Sequence, residues 1–198
     1  MVKMTSVNIQ ISDPSFLPHC GCELQLTLSQ GEALVIVGEN GIGKSTLLVH
    51  LARKLNPQKR VVVEQKTSEY FYDRQLKTLK DFFLKSELES FNPESFHQLW
   101  KDFGLGNKED RWLSELSGGE AQVLKLCLSL CKETDIYLLD EPSQFLDKDK
   151  RVILKKFLEG LLIRQKSLLV IEHQREWLPQ NWKVDQLEIN GKTLRLKT

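Results

Sequence analysis

Apolar and polar residues alternate in "VNIQI", Val7 to Ile11, and in "LQLTL", Leu24 to Leu28. This period of two predicts half-buried strands near the start of the chain. After the turn "SQGE" the run "ALVIV", Ala33 to Val37, is continuously apolar and predicts a more fully buried strand that leads straight into "GENGIGKST", Gly38 to Thr46. Next, "TLLVHLARKL" has helical spacing and stops at Asn56-Pro57, and "RVVVEQ" returns to a strand ending at Gln65, giving a β-loop-α-β unit. From Thr67 to about Cys131 the pattern is helical and more polar, broken at Asn92-Pro93 and across Gly104 to Asp110, as for an inserted helical subdomain. The apolar runs "DIYLLDEP" and "SLLVIEH" flank the amphipathic helix "KDKRVILKKFLEGLLIRQ". Buried parallel strands with crossover helices fit that order. Near the end, Asn190-Gly191 between alternating stretches signals a hairpin.

The 198 residues suit one domain, or a domain plus a small insertion, and suffice for an ordinary core. Lys and Arg number 28 against 27 Asp and Glu, a formal charge of +1, so no broad attraction to nucleic acid or anionic lipid is expected. No apolar run reaches the roughly 20 residues that span a bilayer, and the first residues lack a signal peptide's apolar centre, so the reading is cytoplasmic. Cys127 and Cys131, four apart on an apolar helix, read as small buried residues. The cluster "HCGC", His19 to Cys22, matches no zinc spacing.

"GENGIGKS", Gly38 to Ser45, fits the phosphate-loop pattern G-x-x-x-x-G-K-S between a strand and a helix. Its glycines let backbone N–H groups curl around phosphate oxygens, Lys44 reaches the β and γ phosphates, and the Ser45 hydroxyl ligates magnesium. "IYLLDEP" delivers Asp140 to the end of a buried strand, where it can hold magnesium, and Glu141 follows, placed to orient or deprotonate an attacking water. In "ELSGGEAQ", Ser117 suits an N-cap and Glu120 completes a capping box. The pair Gly118-Gly119 is surplus to a cap and suits close backbone approach to an anion at a helix N-terminus.

Together these motifs make the chain resemble the nucleotide-binding domain of ABC ATPases. "LSGGE", Leu116 to Glu120, resembles their LSGGQ signature, with glutamate in the last position as the departure. The resemblance implies an α/β fold: a P-loop NTPase (RecA-like) core with a mostly parallel sheet, and an inserted helical subdomain. Residues 1–67 and 132–198 would form the core and 68–131 the helical subdomain. Only Asn56 to Arg60 separates the first helix from the Gln65 strand, which implies a trimmed antiparallel β-subdomain.

By the same resemblance, ATP and Mg2+ are held by Gly38, Glu39, Asn40, Gly41, Ile42, Gly43, Lys44, Ser45 and Thr46, with Ser45, Gln65 and Asp140 on the metal. Glu141 and His173 are the implied catalytic residues. Asp147 of "SQFLD" falls on the D-loop, where it also suits an N-cap. Phe16 stands where the family stacks an aromatic ring on adenine, a core role being the alternative. Ser117, Gly118 and Gly119 would face the γ-phosphate held by a second domain, so a homodimer or pseudo-dimer closing on two ATP molecules is expected. The leading expectation is an ATP-hydrolysing subunit serving separate membrane-spanning subunits of a transporter, held peripherally on the membrane. Phe71, Tyr72, Phe82, Phe83 and Trp100 are candidates for docking or for the core. The alternative is a soluble ABC ATPase acting on ribosomes or DNA, disfavoured by the lack of tandem domains, coiled coils or basic extensions.

Overall fold

Five of the six strands among the described residues run parallel. They are β1 (Ala33–Val37), β2 (Arg60–Val63), β3 (Ile136–Asp140), β4 (Ser167–Ile171) and β5 (Lys183–Asn190), with β6 (Thr193–Lys197) pairing antiparallel to β5. The sheet order is β2-β3-β4-β1-β5-β6. The computed structural model describes residues 28–63, 78, 91–108, 110–173, 175–190 and 193–197. The expected strand at 7–11, all of 24–28 but Leu28, the "HCGC" cluster, Phe16, Gln65, Phe71, Tyr72, Phe82 and Phe83 lie outside them.

The apolar strands are explained by helices on both faces. Leu34, Ile36, Ile136, Leu138, Leu169 and Ile171 point to one face and pack against Leu47, Leu48 and Leu51 of helix α1 (Lys44–Lys54). Their neighbours Val35, Tyr137, Leu139, Leu168 and Val170 point the other way, into a larger cluster with helices α2 (Pro93–Asp102), α3 (Gly118–Leu130) and α4 (Lys148–Ile163). Trp100 lies fully buried in this second cluster, as do Cys127 and Cys131, so these three are core residues. Burial pushes the Cys131 thiol up to about 12.

Each of these later helices starts on a signal present in the sequence. Asn92 caps α2 by accepting from the Ser95 N–H at 2.9 Å, with Pro93 in the first turn. Ser117 and Glu120 form a complete capping box on α3. Asp147 caps α4 by accepting from the Lys150 N–H at 2.9 Å. Between α1 and β2 the chain makes only a short 3-10 turn, Pro57–Lys59. The hairpin signal at Asn190 coincides with the β5–β6 pairing, Asn190 lying opposite Thr193.

Parallel strands carry their carboxyl ends to one edge, where ligands of open α/β sheets bind. Ile36, Asp140 and Ile171 sit side by side in register through β4. The loop after β1 and the segments after β3 and β4 therefore emerge at one level.

Candidate functional site

The loop leaving β1 turns through two residues that only glycine occupies without strain, Gly41 at φ 78° and Gly43 at φ 104°. A Cβ added at either would meet nothing within 4 Å, so the requirement is the backbone conformation itself. Glu39, Asn40, Ser45 and Thr46 are exposed, Gly38 and Ile42 half-buried. Helix α1 has no side-chain cap and no acidic residue in its first turn. Its first backward hydrogen bond is from the Leu47 N–H to Gly43 O at 2.8 Å, and the N–H groups before it have no partner within the helix. An uncapped N-terminus behind a glycine loop is a cradle for an anion.

Lys44 is 5% exposed and curls back into this loop, its ammonium donating to the carbonyls of Gly38 and Glu39, both at 2.8 Å. Burial lowers its pKa, while the nearby carboxylates Glu141 and Asp140 pull it back up. Alternation along β3 puts Asp140 on the face of Ile136 and Leu138, the face that α1 covers. Asp140 is buried at the strand end. A buried carboxylate, the Ser45 hydroxyl and a loop shaped for phosphate form a set of hard oxygen donors suited to Mg2+, which takes one or two protein ligands and the rest from phosphate and water. Among the described residues no cluster of three His, Cys, Asp or Glu forms a metal cage of its own.

Glu141 follows in the left-handed region, φ 47°, directly before Pro142. For a residue with a Cβ that conformation costs roughly 1–2 kcal/mol. Its N–H donates to Ile171 O at 2.9 Å, and its carbonyl accepts from the Gln144 N–H at 3.1 Å. The strained turn aims the carboxylate at the end of β4, where its Oε1 lies 2.6 Å from Nε2 of His173. The Glu141 side chain is largely buried and that of His173 partly exposed, so the pair has a wet side and a dry side.

One residue at this edge went unnoticed in the sequence. Glu172 is 3% exposed, and its Oε1 accepts from the Ser143 N–H at 3.1 Å. Its own N–H donates to Ile36 O at 3.1 Å. Burial, first among the causes, pushes its carboxyl up to about 7 against the opposing pull of the Ser143 hydrogen bonds. It ties the turn after Glu141 to the ends of β4 and β1. The only signal was a charged residue closing an apolar run, a position normally read as a solvated strand end.

The loop, Asp140, Glu141 and His173 thus converge at the carboxyl edge. Ser117, Gly118 and Gly119 are exposed at the start of α3. Glu120 stabilises this start from within: its Oε2 accepts from the Ser117 N–H at 2.8 Å while the Ser117 hydroxyl accepts from the Glu120 N–H at 3.3 Å. Neither glycine is crowded, each having open space where a Cβ would project.

A family model described as ABC transporter matches residues 22–144, more than half of the chain. The chain belongs to this family. It is an ABC ATPase domain, a P-loop fold of the RecA-like kind, and its family is one of ATP-hydrolysing enzymes that use ATP with Mg2+. It is similar to the translation initiation factor Rli1 of Schizosaccharomyces pombe, 30% identical over 163 residues that cover 76% of this chain and 26% of that protein. A structure titled "Model of ribosome-bound archaeal Pelota and ABCE1" superimposes with a TM-score of 0.66 at 26% identity, covering 87% of this chain and 30% of that one. The ATP-binding subunit of an ABC transporter superimposes with a TM-score of 0.70 at 16% identity, covering 89% of this chain and 82% of the other, a likeness of fold alone.

These findings correct the expectation of a subunit serving separate membrane-spanning chains. The likeness to Rli1 and to the ribosome-bound structure favours the alternative, an ABC ATPase acting on ribosomes or DNA. The expectation leaned on missing tandem domains and extensions, and a chain that spans about a quarter of its relative's length is silent on both. Among the described residues no helix is long and apolar enough to cross a membrane.

Proposed function

We propose that this domain binds and hydrolyses ATP to drive an association with the ribosome, rather than to move a solute. The observation that carries the ATP chemistry is the convergence of the Gly38–Thr46 loop, Asp140 and the Glu141–His173 pair at one sheet edge. The ribosomal role is supported by the likeness to Rli1 and to the ribosome-bound structure.

In this reading the loop N–H groups and Lys44 hold the β and γ phosphates, the ammonium exchanging its two carbonyl partners for phosphate oxygens. Ser45 and Asp140 hold Mg2+. When bound, that ion neutralises charge developing on the phosphates. Glu141, held in its strained turn, orients the attacking water and accepts its proton, while His173, 2.6 Å from Glu141, is assigned to the γ-phosphate. Gln65 and Phe16 remain expectations outside the described residues.

Ser117, Gly118 and Gly119 are exposed and leave space for close approach, so they are assigned to the γ-phosphate of a second copy of the domain. ATP then joins the two copies, and hydrolysis releases them. Phosphate release tests this directly. Glu141→Gln should lower turnover by about a hundredfold or more, the scale of a general base, with ATP binding retained. Turnover within about twofold of the parent would remove Glu141 from the mechanism.

A further inference from the structure

Glu120 poses a problem that the proposed function makes acute. A carboxylate in the first turn of α3 stabilises the helix by itself, yet it places negative charge where a second domain's phosphate would arrive. Protonation offers no escape: the carboxyl is held down at about 2, chiefly by Lys108 and then by the Ser117 N–H. It is therefore charged at neutral pH.

The chain supplies a counter-charge from outside the helix. Lys108, twelve residues earlier, forms an ion pair through its Nζ with Glu120 Oε1, while Oε2 stays on the Ser117 N–H. Both partners are largely covered, with side chains 20% and 22% exposed. Lys108 is not a loose surface lysine. Helix α2 ends in a Schellman turn: Gly104 takes φ 79°, its N–H donates to Lys101 O at 2.8 Å, and the Leu105 N–H donates to Trp100 O at 3.1 Å. Leu105 is buried, and the Lys108 N–H donates to Leu105 O at 2.9 Å, so the turn anchors the lysine's backbone.

We propose that Lys108 is a positioning residue of the ATP-bound pair: it masks the charge of Glu120 and locks the capping box, leaving the Gly118 and Gly119 N–H groups of α3 and the proton of the Ser117 hydroxyl for the γ-phosphate of the second copy. The inference rests on the reading of Ser117–Gly119 given above. It also accounts for glutamate replacing glutamine in the signature, since the pair restores the neutral end that glutamine would provide.

The test is a four-member cycle in the Glu141→Gln background: parent, Lys108→Met, Glu120→Gln and the double variant. The readout is ATP-dependent self-association by sedimentation. Lys108→Met should weaken association by about tenfold, because it leaves Glu120 uncompensated in front of an anion. Glu120→Gln should leave it within about twofold, and the double variant should recover to that level. Lys108→Arg keeps a cation and should also retain association within about twofold, which guards against a folding defect in the methionine variant. A double variant as weak as Lys108→Met, or a Lys108→Met variant that associates normally, would overturn the inference alone. A parent that binds ATP and stays monomeric would overturn the paired-domain reading and the inference with it.

Discussion

Replacing Glu172 by glutamine should change how the protein's stability responds to pH, and the size of the change follows from the site. The carboxyl is pushed up to about 7 from an ordinary value of 4.5, because it is buried and close to Glu141, while Ser143 and Arg151 offset only part of that cost. An acid with a raised folded pKa contributes stability that is full below its unfolded value and lost as pH climbs to the folded one. In that window the unfolded chain gives up the proton and the folded chain keeps it. At about 1.4 kcal/mol per pH unit, the gap between 4.5 and about 7 amounts to about 3 kcal/mol. The glutamine of the Glu172→Gln variant keeps a side-chain oxygen for the Ser143 N–H and carries no charge at any pH, so it escapes this loss. Urea unfolding of both proteins from about pH 4 to about pH 8 measures it. The advantage of the glutamine variant should grow by about 3 kcal/mol up to about pH 7 and then level off. Parallel stability curves, or an advantage that shrinks as pH rises, would refute the buried-carboxyl reasoning.

Lys44→Ala removes the cation buried in the loop and should weaken ATP binding by at least about tenfold in a calorimetric titration, a charge-assisted contact to phosphate being worth about 1.5–3 kcal/mol. Leu158→Ala, at a fully buried site on α4, should cost about 2–5 kcal/mol in unfolding free energy without changing ATP affinity. Cys127 and Cys131 should resist a thiol reagent in the native protein and react once urea unfolds it, because burial holds both thiols protonated and covered.

The sheet and its helices were legible because burial on two faces leaves a simple trace. "ALVIV", "IYLLD" and "SLLVI" are apolar almost throughout, and each is a central parallel strand. The helix starts at Ser117 and Asp147 were equally plain, since such caps act over three residues and need no tertiary partner, whereas Asn92-Pro93 reads in the sequence only as a break. What the sequence hid is what depends on folding. Glu172 and the Ser143 N–H are joined across 29 residues, and Lys108 meets Glu120 across 12, so neither bond has a local signature. The strain at Glu141 was equally silent, because the residue before a proline normally prefers extended backbone. The functional partner was misread for a different reason: motifs that bind ATP do not state what the resulting motion acts on.

If ATP binding commits this domain to the ribosome, the commitment should be visible in a sucrose gradient. The full protein bearing Glu141→Gln, taken from its native cells, is sedimented with and without ATP. It should move into the ribosomal fractions with ATP and return to the top when Lys44→Ala is added. A protein that stays at the top in ATP, or that comes down only with membranes, would contradict the ribosomal role.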